Sequence, residues 1–219
     1  MRERSPVPPD LQAARARMVE QQLRGRDLTD ERVLAAMERV PRELFVPESL
    51  RDRAYDDAAL PIGGGQTISQ PYMVAKICEA LSLRGDEHVL DVGSGSGYQA
   101  AVLAELAADV DTIERIPELA QLARANLAAA GYERVRVHFG DGTRGLPELA
   151  PFDAIAVAAA APRLPQTLYE QLEPRGRLVV PVGRHGIQRL EVIVRSPEGP
   201  AVIRSVPCRF VPLVGDEGF

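Results

Sequence analysis

A strand-like run, His88 to Val92, leads into the glycine-rich turn Gly93-Ser-Gly-Ser-Gly97, and a helix pattern follows from Tyr98 to Leu106. Strand, glycine turn and helix start together make a cradle for a nucleotide-type cofactor. The glycines let a ligand come close to the backbone, and a helix start offers free N–H groups. The next strand, Asp109 to Ile113, ends at Glu114, 21 residues after Gly93. In doubly wound folds an acid at that place holds ribose hydroxyls. A tight turn with no ligand would also use glycines, but it would not call for the acid.

The glycine spacing selects among cofactors. A dinucleotide fingerprint reads G-x-G-x-x-G. Gly93 and Gly95 fit its start, but the third glycine position falls on Tyr98. The pattern present is acid-x-G-x-G-x-G, from Asp91 to Gly97. It resembles the first motif of class I S-adenosylmethionine (SAM) methyltransferases. That resemblance implies a loop that wraps an amino-acid carboxylate and a ribose rather than a pyrophosphate.

The elements that must carry this loop are readable from periodicity. Strands are expected at 88–92, 109–113, 135–139, 152–158 and 177–182, and helices at 97–107, 117–130 and 165–173. Two closing strands are expected at 188–195 and 202–213. The alternation implies an α/β fold, with a doubly wound, mostly parallel sheet and helices on both faces. The order of the last strands is not readable. Upstream, Pro8-Pro9-Asp10 starts a helix that runs to Arg24 and stops at Gly25. Thr29 or Asp30 caps a second helix that ends before Pro41. Leu11, Ala14, Met18 and Leu23, then Val33, Leu34 and Met37, recur at helical spacing. Residues 41–70 form a long irregular stretch, expected to be ordered because it carries Leu44, Phe45, Leu60 and Ile62. A helix follows over 71–81, with Pro71 in its first turn. Residues 1–80 thus form a helical extension with an active-site loop, packed on a cofactor-binding core of 81–219.

Composition sets the outer limits. At 219 residues with 45% hydrophobic content, one compact domain is expected. The net charge is −5 and no basic run exceeds two residues, which argues against nucleic acid as partner. The start, Met1 to Asp10, has no apolar stretch and is not read as a signal peptide. The longest apolar run, Ala154 to Pro162, is too short to span a membrane. Cys78 and Cys208 make no C-x-x-C, so free thiols and a reducing cytoplasm are expected. His88, His138 and His185 stand at no metal-ligand spacing. Each is read as edging a strand or loop, and no metal is expected. A monomer is the expected state.

Further blocks make the resemblance specific. Gly65-Gln-Thr-Ile-Ser-Gln-Pro71 precedes the glycine loop and Gly140-Asp-Gly142 ends the third strand. Ala150-Pro-Phe-Asp-Ala-Ile155 opens the fourth strand and Gln171 to Gly183 covers the fifth. Phe210-Val-Pro-Leu213 lies near the end. In this order, from about Met18 to Leu213, they resemble the protein-L-isoaspartate (D-aspartate) O-methyltransferases. The Thr-Ile-Ser-x-Pro block with the terminal Val-Pro-Leu carries that specificity. The resemblance implies SAM as cofactor, S-adenosyl-L-homocysteine as product, and isoaspartyl peptides and proteins as substrates, with D-aspartyl residues as a second class. It implies that Ser69 stands between cofactor and substrate carboxylate as the catalytic residue. Gln66, Thr67 and Ile68 would line the methionine end. Asp91, Gly93 and Gly95 would form the cofactor loop, Glu114 the ribose acid, and Asp141 with Gly142 the adenine-side turn. Ile62, Val211, Pro212 and Leu213 would help hold the substrate. Some members carry histidine near Met73 and Val74; this chain does not, and no histidine role is carried over.

The chemistry fits these residue types. A free α-carboxylate has a pKa of about 3.3–3.7 and is ionised at neutral pH, so the reaction needs alignment and dryness more than a base. Bland alternatives remain for single residues: Ser69 could cap the helix at Pro71, Asp141-Gly142 could be a plain turn, and Tyr55-Asp-Asp57 could be structural rather than site-lining. Two other functions compete. A SAM methyltransferase of RNA, DNA or a small molecule is one; against amine methylation, Ala158 to Pro162 stands where Asn/Asp-Pro-Pro-Tyr/Phe would. A SAM-binding protein without catalysis is the other.

Overall fold

A computed structural model describes residues 11–184 and 187–219; Met1–Asp10, His185 and Gly186 lie outside the described residues. The chain opens with a helix, α1, over Leu11–Arg17, which continues as a π-helix over Met18–Arg24. A uniform α-helix was expected here. The buried residues of the second half are Met18, Val19 and Leu23, and the five-residue step from Met18 to Leu23 suits the wider π turn better than the α turn. Helix α2 spans Glu31–Arg39, with Asp30 as its cap: the carboxylate accepts from Arg32 N and Val33 N.

Residues 41–70 are ordered. Two short 3-10 turns, Arg42–Phe45 and Glu48–Arg53, lead to a hairpin of β1 (Leu60–Gly63) and β2 (Gln66–Ile68). Helix α3 spans Pro71–Leu81. Then come β3 (His88–Val92), α4 (Tyr98–Ala104), β4 (Asp109–Glu114), α5 (Pro117–Ala129), β5 (Arg136–Phe139) and β6 (Phe152–Val157). Helix α6 (Gln166–Glu170), β7 (Leu172–Arg184), β8 (Ile187–Ser196) and β9 (Gly199–Cys208) complete the fold.

The main sheet has the order β5-β4-β3-β6-β7-β8-β9. Its first five strands run parallel; β8 and β9 join antiparallel. Strand order reverses beside β3, so the glycine loop leaves the sheet at the switch point, where doubly wound folds place their ligands. The last expected strand, 202–213, is corrected in two ways. It spans Gly199–Cys208, and residues 211–213 leave the sheet's edge to lie against Ala160, with Pro212 opposite it in an isolated parallel bridge. Pro212 has no N–H to continue a ladder.

One core cluster joins Val89, Tyr98 and Val102 to Met18, Leu34, Met37, Phe45 and Ile77, so the N-terminal helices pack on the same face as α3 and α4. The other cluster holds Leu90, Val92, Ile155, Leu178 and Leu213 on the opposite face. Beside it, Asp111 is fully buried and ringed by donors. Arg136 donates to both its oxygens at 2.9 and 2.8 Å, His88 Nε2 lies 2.7 Å from one and His138 Nε2 lies 2.6 Å from the other. The two histidines thus serve a carboxylate in the sheet. Burial pushes the Asp111 carboxyl up, but these bonds outweigh it and bring it down to about 2. The folded value lies below the ordinary one. The stability it adds is therefore complete above about pH 4 and lost as the pH falls toward 2. Asp111→Ala should destabilise the fold by about 1–3 kcal/mol at pH 7 and by much less at pH 2. Thermal melts of both proteins across that range check it; a pH-independent difference would contradict the assignment.

Candidate active site

The glycine loop needs its glycines. Gly93, Gly95 and Gly97 have φ of 94°, 53° and 94°, the left-handed region that side chains avoid. The turn is held to the neighbouring strand: Gly93 N and Ser94 N both donate to Ile113 O, at 2.9 and 3.2 Å. Glu114, at the end of β4, completes the frame. Its Oε2 accepts from Gly95 N and its Oε1 from Ile116 N, both at 3.0 Å. A buried carboxylate here braces the loop from below and lines the cavity.

Asp91 lies one layer deeper. It is fully buried, accepting from Gln99 Nε2 at 2.7 Å and Thr112 Oγ1 at 2.8 Å. Burial raises its carboxyl to about 6, against the pull of those two bonds, and the charge of Glu114 adds to the rise. On the far side, Gly142 packs so closely on Val92 that a Cβ would sit 2.7 Å from Val92 Cγ1. Asp141 caps the short 3-10 turn Gly142–Arg144, accepting from Thr143 N and Thr143 Oγ1. Its second oxygen accepts from Asp216 N at 2.9 Å, tying the chain's tail to this turn.

The β1–β2 hairpin lies across the glycine loop. Ile62 Cδ1 would be 3.2 Å from a Cβ on Gly95, and the hairpin tip at Gly64 packs near Ile116 and Leu119. From the other side comes the tail: Ala160 N donates to Val211 O and Leu213 N to Ala160 O, both at 2.8 Å. The half-open cavity has about 830 Å³ of atom-free space including its mouth. Eleven of the residues singled out from sequence line it: Gln66, Thr67, Ile68, Ser69, Gly93, Gly95, Glu114, Gly142, Val211, Pro212 and Leu213. Ile62, Asp91 and Asp141 stand behind that wall, each occupied by the contacts just described.

Single-residue alternatives resolve on geometry. Ser69 does not cap α3: the N-cap is Gln70, with no side-chain capping bond. Tyr55 donates to Glu43, and Asp57 is held by Arg26 and by Gln70, the residue after Ser69, so this turn holds the end of the hairpin segment and does not line the cavity. Cys208 sits at the end of β9, where burial pushes its thiol up to about 11. Both cysteines are free. The sequence reading missed Ser94, Ser96, Tyr98, Gln99 and Ile116, which also line the cavity. The i, i+3 step from Ser96 places Gln99 on the same side of the helix start, which is the signal that could have found it. The wall fits an adenosyl amino acid: a buried acid, Glu114, braced at the loop, glycines at left-handed φ, and Gly142 packed too tightly on Val92 for a side chain.

A sequence model described as protein-L-isoaspartate(D-aspartate) O-methyltransferase matches residues 13–218. The chain belongs to this family. A Marinobacter nauticus protein-L-isoaspartate O-methyltransferase 2 is 57% identical over 212 residues, 96% of this chain and 97% of the relative. A protein-L-isoaspartate O-methyltransferase from Hyperthermus butylicus is 52% identical over 218 residues, 94% of this chain and 90% of its own. Among solved structures, one protein-L-isoaspartate O-methyltransferase superposes with a TM-score of 0.82 at 28% identity, covering 93% of this chain and 67% of that chain. A Plasmodium falciparum structure described as an isoaspartate O-methyltransferase, in complex with S-adenosyl-L-homocysteine, has a TM-score of 0.79 at 26% identity, covering 91% and 98%. The family match thus spans the hairpin and the tail as well as the cofactor loop.

Proposed function

We propose that this chain transfers a methyl group from SAM to the free α-carboxylate of L-isoaspartyl residues in peptides and proteins. The neighbouring peptide nitrogen then attacks the ester carbonyl and expels methanol to close a succinimide, and hydrolysis of that ring returns part of the damaged residue to aspartate. One observation carries the reading: family membership spans residues 13–218, so it includes the Gln66–Ser69 and Val211–Leu213 walls as well as the cofactor loop.

When bound, SAM supplies an electrophilic methyl on a sulfonium. The protein's own part is placement. Ser69 lines the cavity, half-buried, and its hydroxyl makes no hydrogen bond among the described residues. It is free to donate to one oxygen of the substrate carboxylate and leave the other turned toward the methyl. No base is required, because that carboxylate is already ionised. The hairpin and the tail narrow the opening and reduce the water around the reacting oxygen. Ala158 and Ala159, at the end of β6, bring no hydrogen-bonding side chain to the wall. That suits an anionic oxygen nucleophile and leaves an amine without acceptors there.

The reading further has the enzyme acting as a monomer in the cytoplasm, on protein substrates and not on nucleic acid. Among the described residues no helix is long and apolar enough to cross a membrane. The test is labelled-methyl transfer from SAM to an isoaspartyl peptide, followed by mild alkali. The label should leave as methanol, as from an ester; label that survives alkali would reject carboxyl methylation. Ser69→Ala should lower kcat by about tenfold to a hundredfold, a lost positioning bond of roughly 1–3 kcal/mol, while SAM affinity and Tm stay near wild type. An unchanged kcat/KM would remove Ser69 from the mechanism.

A further inference from the structure

Val211–Leu213 wall the cavity from outside the sheet. Among the described residues, two backbone hydrogen bonds join this stretch to the body of the fold, and both are made by Ala160. Pro212, between them, has no N–H to add a third. How firmly the wall stands therefore depends on what fixes the chain on either side of it.

Upstream, the Gln188 amide clasps the backbone of Phe210: its Oε1 accepts from Phe210 N at 2.6 Å and its Nε2 donates to Phe210 O at 3.2 Å. Downstream, Phe219 N donates to Leu213 O at 2.8 Å and Gly218 N to Gly215 O at 3.0 Å, so the tail closes into a small loop on the end of the wall. Two elements hold that loop. The turn after β5 takes it by the backbone, with Asp216 N donating to Asp141 Oδ2 at 2.9 Å and Glu217 N to Thr143 Oγ1 at 3.3 Å. The start of α6 takes it by a side chain. The half-buried Glu217 carboxylate accepts from Thr167 N at 3.1 Å and from Thr167 Oγ1. Chain ends are ordinarily loose unless tied down. This one is tied at three residues on two elements, and the stretch it steadies is the peptide side of the cavity.

We infer that Glu217 is a positioning residue for the peptide substrate. It fastens the tail to Thr167, so that Val211–Leu213 stand in place before a peptide arrives. The inference rests on the isoaspartyl-peptide reading of the site and adds a residue that does not itself line the cavity. With the tail loose, the wall would be in place in only a fraction of the molecules, and the apparent affinity for peptide falls by that fraction. A bound peptide then holds the wall itself, so turnover at saturation changes little. The cofactor side keeps its own frame, built on Glu114 and on the packing of Gly142 against Val92.

Three measurements test this: steady-state methylation of an isoaspartyl peptide, calorimetry with S-adenosyl-L-homocysteine, and hydrogen exchange at the Leu213 amide. Glu217→Ala should raise the peptide KM about tenfold and leave kcat and S-adenosyl-L-homocysteine affinity within about twofold. It should also speed exchange of the Leu213 N–H while the amides of β3 stay slow. Glu217→Gln keeps an oxygen for Thr167 N, and the Thr167 hydroxyl can turn to accept from its amide, so this variant should stay near wild type. In Gly215→Ala the new Cβ would collide with the Asp141 carboxylate and push the tail off that turn, so the peptide KM should rise as in Glu217→Ala. A wild type that transfers no methyl to the peptide overturns the reading of the site, and the anchor with it. An active wild type whose two alanine variants keep its peptide KM overturns the anchor alone. So does a KM that rises only together with a loss of S-adenosyl-L-homocysteine affinity or of Tm, because the tail would then hold the whole fold and not the wall.

Discussion

A peptide carrying isoaspartate should be methylated at least about a hundredfold faster than the same peptide carrying aspartate. The two have the same atoms and the same charge, so bulk electrostatics cannot separate them. Isoaspartate runs its main chain through the side-chain carboxyl and branches its carboxylate directly from the α-carbon. The cavity is closed on one side by Gln66–Ser69 and on the other by Val211–Leu213, which Ala160 holds in place through hydrogen bonds at both ends. A peptide gripped between such walls can bring only one of the two carboxylates in line with the methyl. Misplacement by about 1 Å already costs on the order of a hundredfold in rate. Initial rates of labelled-methyl transfer to the matched peptides measure this. Equal rates would mean that the walls do not read the peptide, leaving a methyltransferase of another specificity.

Glu114→Ala should weaken binding of S-adenosyl-L-homocysteine by tenfold or more, and by more than it slows the bound enzyme. Two effects combine. On the proposed reading the carboxylate's contact with the ribose is lost, a charged hydrogen bond of roughly 1.5–3 kcal/mol. The braces on Gly95 N and Ile116 N go as well, so a loop held at φ of 53° at Gly95 loses a support. Glu114→Gln keeps one acceptor oxygen and should fall between the two. Calorimetry with the product decides; affinity unchanged in the alanine variant would remove Glu114 from cofactor binding.

Some of this site was legible in the chain alone because the requirement is local. A backbone that must take left-handed φ three times in five residues has to be written as glycine, and Gly93, Gly95 and Gly97 stand there. Glu114 follows from the length of one helix and one strand, and the parallel direction of β3 to β7 from their alternation with helices. The block from Gly65 to Pro71 could be matched to a family without knowing where it folds.

What tertiary structure alone decided depends on residues far apart in the chain. Asp141 and Glu114 read alike as cofactor acids, yet Asp141 spends one oxygen on the backbone of Asp216, 75 positions away. Asp91 reads as part of the loop, but burial and two side-chain donors place it beneath the cavity, and Gln99 reaches the wall in its place. Residues 211–213 look like the end of a strand and instead close the pocket through Ala160. Periodicity records which residue types face a core. It does not record which partner a carboxylate, an amide or a strand end will find, because that choice is made by packing between elements that share no local sequence.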